Sequence, residues 1–297
     1  MLDTVIDQRR HMLGAFEVGR VLPHSARRMI GPFIFFDHMG PADFPRGISR
    51  DVDVRPHPHI GLSTVTYLFD GEIMHRDSVG SEQAILPGEV NWMIAGRGIT
   101  HSERFERARA EGGAMHGIQS WVALPDEDEE TDPGFVHHAA QDLPVFEEAG
   151  VWARLVAGEA FGRRSRVRTH SPLFYAHLEM TPGSRTALPD RYSERAAFIV
   201  DGSVEADGRT FHAGQLLVFS PGDAVVAAAT KARVMILGGE PVGPRFIEWN
   251  FVSSSRERIE QAKSDWRAGR MKLPDLDDKE FIPLPPDRPP APSPGAA

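Results

Sequence analysis

Apolar residues along this chain fall in short runs that alternate with polar ones and are cut off by turn residues. Such runs are Pro32 to Phe36, Ser63 to Leu68, Val90 to Ile94, Gly117 to Leu124, Phe174 to Met180, Ala196 to Val200, Gln215 to Phe219 and Val234 to Leu237. Between them lie Asp70-Gly71, Pro87-Gly88, Pro182-Gly183, Asp201-Gly202, Asp207-Gly208 and Pro221-Gly222, pairs suited to tight turns. The rhythm predicts an all-β protein built of barrels or sandwiches. The stretch from Pro125 to Gly150 is acidic at Asp126 to Asp132 and has no strand pattern, which marks a connection between two units. Leu68-Phe69-Asp70-Gly71 resembles Ile199-Val200-Asp201-Gly202, each followed by a second glycine turn at Gly88 and Gly214, so the units read as two copies of one fold.

Helical periodicity enters only near the end. Ser254-Ser255-Arg256-Glu257 is a capping box, after which Ile259, Ala262 and Trp266 share one face up to Gly269. This predicts a helix within 253–270 whose Trp266 face docks on a barrel. The residues 283–297 are rich in Pro, Ala and Ser and are expected to lack fixed structure. The predicted division is a first barrel over 1–135, a connection over 136–150 and a second barrel over 151–252.

Composition narrows the chemistry. The 297 residues include 28 Gly and 24 Pro, enough to punctuate many short strands, and no Cys. Without cysteine there is neither a disulfide nor a thiolate site, so any metal must be held by nitrogen and oxygen. A net charge of -9, with only Arg163-Arg164-Ser165-Arg166 as a short basic stretch, gives no footprint for nucleic acid. No apolar run follows the charges of the N-terminal MLDTVIDQRR, and none is long enough for a membrane helix. The expectation is a cytoplasmic protein that binds neither membrane nor nucleic acid.

In Arg55-Pro56-His57-Pro58-His59 the histidines are two apart, which on an extended strand turns both imidazoles to one face. The flanking prolines favour extended backbone. His-x-His alone is a weak signal. A second segment, Ala95-Gly96-Arg97-Gly98-Ile99-Thr100-His101-Ser102-Glu103, carries a glycine-rich bend and then one histidine and one carboxylate on a shared face. Three histidines and a glutamate would suit Fe(II), Mn, Ni, Cu or Zn.

These two segments, with Gly71 between them, resemble the paired motifs of a cupin barrel, although the usual cupin carboxylate would fall at Thr64 and is missing. Glu103 in its place, together with Phe36-Asp37-His38, resembles the pirin family, and the order of elements follows that family from about residue 10 to residue 270. The resemblance implies two tandem cupin barrels of the double-stranded β-helix (jelly-roll) type. It also implies one divalent transition metal per chain, usually Fe(II), bound by His57, His59, His101 and Glu103. Aligned on Gly202, the second barrel offers Pro189, Arg191 and Arg195 at the corresponding positions, and no histidine follows His212, so it should be metal-free.

The activity implied by the resemblance is that of a quercetin 2,3-dioxygenase, which opens a flavonol with O2 and releases carbon monoxide. In that reaction Glu103 would take the substrate's proton. The partners would then be a small aromatic substrate and O2. Pirins also act as redox-sensing regulators whose iron state alters binding to a protein partner, and the fold does not choose between the two. A cavity that accommodates a flavonol beside the metal would favour the enzyme. The remaining candidates have plainer readings: His38 near the barrel mouth and His116 as hydrogen-bonded packing residues, His137-His138 as an exposed pair, Trp92-Met93-Ile94 as core, and Arg163 to Arg168 as a solvated loop.

Overall fold

The computed structural model describes residues 1–13 and 16–286. Strands dominate, and each of two barrels is made from one large sheet and one four-stranded sheet. In the first barrel the large sheet runs, in spatial order, Gly134–His138, Val90–Ile94, Leu62–Asp70, Gly113–Ala123, Phe33–Phe44, Phe16–Leu22 and Arg9–Leu13. Facing it are Val54–His59, Ile99–Arg104, Ile73–Asp77 and Glu82–Ile85. The second barrel repeats the plan, its small sheet formed by Arg185–Ala187, Val225–Ala228, Ser203–Ala206 and Arg209–His212. The duplication predicted from the two Asp-Gly turns is therefore a duplication of architecture.

The two large sheets pack against each other. Period-2 alternation gives each central strand one face for its own barrel and one for the neighbour. Phe36, Val65, Tyr67, Trp92 and Ile118 of the first barrel thus share a core with Tyr175, Phe198, Val218, Met235 and Leu237 of the second. The interior of the second barrel is filled by aliphatic and aromatic side chains, among them Leu155, Phe174, Leu178, Ile199, Leu217, Val226 and Ile236. The interior of the first barrel is not filled in this way, because its small sheet projects histidines and a carboxylate into it.

The expected division along the chain needs two corrections. Leu2–Asp7 does not join the first barrel but pairs with Gln215–Phe219, at the edge of the large sheet of the second. Its sequence, LDTVID, has no regular alternation and does not mark which sheet receives it. The span 136–150 is no plain connection either: Gly134–His138 pairs with Val90–Ile94, and Val145–Glu148 pairs with Val151–Ala160, so it contributes an edge strand to each large sheet. His137, expected to be exposed, is partly buried there and bonds Asn91 Oδ1 through Nδ1 (2.8 Å).

The chain end returns the exchange. The hairpin Phe246–Glu248 with Phe251–Ser253 touches the first barrel through a bridge between Ile60 and Phe251. The helix Arg256–Arg267 begins at Ser255, whose hydroxyl accepts the Arg258 N–H. It buries Ile259, Ala262 and Trp266 against Ile60 and Phe251. Beyond the helix, Arg104 binds Asp277 (2.7 and 2.8 Å) and Glu280 (3.0 Å), the Ile282 N–H donates to the Pro56 carbonyl (2.8 Å), and the Trp266 indole donates to the Ile282 carbonyl (3.0 Å). Residues 272–282 are thereby strapped across the first barrel. Most of the proline-rich segment, residues 287–297, lies outside the described residues.

Candidate metal centre

The two motif strands are direct neighbours. Val54–His59 and Ile99–Arg104 pair antiparallel, with His101 opposite His57 and Glu103 displaced by a bulge to stand opposite Val54. The bend before the second strand requires glycine: Gly96 has φ of 51°, and a Cβ there would lie 2.0 Å from the Thr131 carbonyl oxygen.

His57, His59 and His101 form a buried group whose ligand nitrogens all lie within 4.8 Å of one another. His59 Nε2 and His101 Nε2 are 3.1 Å apart. His57 Nδ1 bonds the Arg55 carbonyl (2.9 Å) and His59 Nδ1 bonds the Asn250 carbonyl (3.1 Å), leaving each Nε2 free toward the group. Burial penalises the imidazolium forms, holding His57 down at about 4 and His59 and His101 well below their ordinary value. The rings are therefore neutral at pH 7, the form that binds metals.

Glu103 lines the same cavity but stands outside the close group of nitrogens. Its Oε1 accepts from Gln119 Nε2 (3.3 Å), and the Gln119 Oε1 accepts from the Thr66 hydroxyl (2.7 Å), which fixes the amide's direction. Burial pushes the Glu103 carboxyl up to about 7, against the pull of Gln119. Three neutral imidazole nitrogens converging within 4.8 Å of one another are able to hold one divalent ion. The donors fit a borderline transition metal. Among the described residues, the three histidines are the one such group, and none occurs in the second barrel.

The cavity holds about 440 Å³. Phe16, Phe35, Phe105, Trp121 and Trp249 line it, with His57, His59, Glu103 and Gln119 on the polar side. Phe35 stacks on Trp121 at 4.1 Å, and the edge of His59 meets Trp121 at 5.1 Å. Arg20 grips Asp37 through two hydrogen bonds (2.8 and 2.7 Å) and lies over the Phe35 ring at 4.3 Å. Burial outweighs that pairing and raises the Asp37 carboxyl above its ordinary value. A more open groove along Arg50, Asp51, Arg55, Lys279 and Glu280 contains none of the triad, but shares Val54 and Ile282 with the cavity.

Sequence reasoning missed Arg20, Gln119, Trp121, Asn250 and Ile282. His38 was expected near the barrel mouth. Alternation instead sends Asp37 into the cavity and His38 out to the other barrel, where it bonds His116 Nε2 at 2.8 Å and meets Phe198. The packing reading of both histidines agrees with this, and Trp92 and Met93 are core residues.

A duplicated barrel with one filled interior and, among the described residues, one histidine cluster defines a bicupin with one metal-competent centre. The first barrel matches the pirin family model over residues 15–122, and the second matches the pirin C-terminal cupin domain over residues 175–272. The chain belongs to the pirin family. It is 65% identical over 287 residues to a pirin-like protein of Caulobacter vibrioides, covering 96% of this chain and 100% of the relative. The crystal structure of quercetin 2,3-dioxygenase from Acinetobacter baumannii superposes with a TM-score of 0.86 at 34% identity, covering 96% of each chain. The Escherichia coli pirin YhhW, in complex with nickel(II), shares the fold at a TM-score of 0.61 and 17% identity, over 80% of this chain and 99% of YhhW.

Proposed function

We propose that this chain is a metal-dependent dioxygenase that opens a flavonol such as quercetin with O2 and releases carbon monoxide. The observation that carries the reading is the cavity: about 440 Å³ lined by flat aromatic side chains beside the histidine triad, within the roughly 300–1,000 Å³ of small-molecule sites. A redox-sensing regulator would need only a narrow opening to its metal. Likeness to the Acinetobacter baumannii dioxygenase over nearly the whole chain supports the same reading.

His57, His59 and His101 would hold the ion, with Glu103 as fourth ligand. When bound, a divalent transition metal, which we take to be Fe(II), supplies a Lewis-acid and redox centre for O2 chemistry. Phe35 and Trp121, stacked on each other, present a flat wall against which fused aromatic rings pack. Glu103 accepts the proton of the flavonol hydroxyl, while Gln119 keeps its carboxylate aimed into the cavity. The Arg20–Asp37 pair supplies a polar edge for the hydroxyl groups of the substrate.

The test is turnover of quercetin in air by Fe(II)-loaded protein, with O2 uptake and carbon monoxide measured together. The reading predicts both, in equal amounts. Loss of flavonol absorbance without carbon monoxide indicates autoxidation and defeats it.

A further inference from the structure

Two of the three triad rings are oriented by groups that can only accept. The carbonyls of Arg55 and Asn250 require a hydrogen on Nδ1 of His57 and of His59, so Nε2 keeps its lone pair in both. His101 is different. Its Nδ1 faces Nδ1 of His75 at 3.3 Å, a nitrogen able to donate or accept. If His75 donated, His101 would carry its hydrogen on Nε2 and could not bind a metal there.

Asp77 decides between these arrangements. His75 Nε2 lies 2.9 Å from Asp77 Oδ2, while Asp77 Oδ1 accepts the N–H groups of Val79 (3.0 Å) and Ser81 (2.9 Å). Oδ1 is thus an acceptor twice over, and Oδ2 accepts from His75 Nε2–H. In a neutral ring His75 Nδ1 is then left with a lone pair, which takes the hydrogen of His101 Nδ1. The His75 ring is also pinned by stacking on Phe135 at 4.3 Å with 15° between planes. The relay follows from strand register, because His101 stands opposite Asp77, and Glu103 opposite His75, on adjacent strands.

We infer that His75 and Asp77 are positioning residues for the metal centre, forming a buried chain from Asp77 through His75 that fixes the tautomer and direction of His101. The inference rests on the triad being the metal site. Neither residue belongs to the triad, and His75 has both ring nitrogens engaged, by Asp77 and by His101. Outer partners of this kind are commonly worth about 10- to 100-fold in metal affinity.

The test is Co(II) binding to the full chain, with affinity read by competition against a chromophoric chelator and geometry by the visible cobalt spectrum. His75→Phe keeps a ring on Phe135 but removes the acceptor. Asp77→Asn keeps Oδ1 for the loop amides but turns an NH2 toward His75, which reverses both tautomers. His75→Asn places an amide oxygen near the former Nδ1 and serves as the rescue. The expected result is a loss of about 10- to 100-fold for His75→Phe and Asp77→Asn, a shifted cobalt spectrum, and affinity near wild type for His75→Asn. Wild-type affinity and spectrum in His75→Phe and Asp77→Asn overturn the inference alone. So does an equal loss in His75→Asn and His75→Phe, which marks a role in packing. Failure of the unaltered chain to bind Co(II) overturns the triad reading and the inference together.

Discussion

His101 stands directly opposite His57 across the ladder that joins Ile99–Arg104 to Val54–His59. That pairing turns two weak signals some forty positions apart into one site. Each His-x-His or His-x-Glu spacing alone says only that two side chains share a face. Antiparallel pairing of the strands puts both faces on the same interior.

Since the second barrel is packed with Leu155, Phe174, Ile199 and Ile236 and, among the described residues, holds no cluster of three ligand groups, the chain should bind one transition metal. Elemental analysis of metal-saturated protein should give about one ion per chain, and His59→Ala should abolish tight binding. Two ions per chain would contradict the assignment of the second barrel.

Glu103→Gln separates two roles of the carboxylate. Glutamine keeps the shape and one oxygen donor but loses charge and basicity. If Glu103 takes the substrate proton, kcat at verified full metal loading should fall by roughly 100-fold or more. Turnover near wild type at full loading would leave Glu103 as a ligand only.

The strap over the first barrel depends on Arg104, whose guanidinium is 2% exposed and pairs with Asp277, Glu280 and Asp53. Arg104→Met leaves buried Asp53 with less compensation and releases residues 272–282. Breaking such a pair commonly costs about 3–5 kcal/mol, and partial solvation of Asp277 and Glu280 points to the lower end. Urea unfolding should show the loss, and limited proteolysis should show cleavage near residues 270–286. Unchanged stability and resistance would mean the strap is held by Trp266 and Ile282 alone.

His38 and His116 give a pH dependence away from the histidine triad. Burial lowers His38 to about 3 and His116 to about 4 from an ordinary value of 6.5. Their folded forms resist a proton that the unfolded chain accepts, so their contribution is complete above pH 6.5 and declines as pH falls toward 4. The unfolding midpoint of metal-free protein should drop between pH 7 and pH 5, and drop less in His38→Gln, which retains a polar group facing His116. Equal slopes in the two proteins would remove His38 from the account.

The histidine triad was legible as a candidate group because its spacing is local and histidines are few in the chain. The cavity wall was not. Arg20, Asp37, Gln119 and Trp121 come from three strands of the large sheet, and which of their alternating positions face inward depends on register and on bulges such as that between Arg20 and Leu22. Asp37 and His38 show the consequence, adjacent residues serving a cavity and an inter-barrel contact respectively. Asn250 and Ile282 reach the site from the far end of the chain, and nothing local marks a segment that crosses back. The destination of Leu2–Asp7 was hidden for the same reason.

Anomalous diffraction from crystals of the metal-loaded chain tests the metal centre most directly. The account predicts a single metal peak within about 2.0–2.3 Å of Nε2 of His57, His59 and His101, with a Glu103 oxygen completing the set and the aromatic cavity open beside it. A peak elsewhere, or a metal bound by the histidines with both Glu103 oxygens beyond bonding distance, would contradict it.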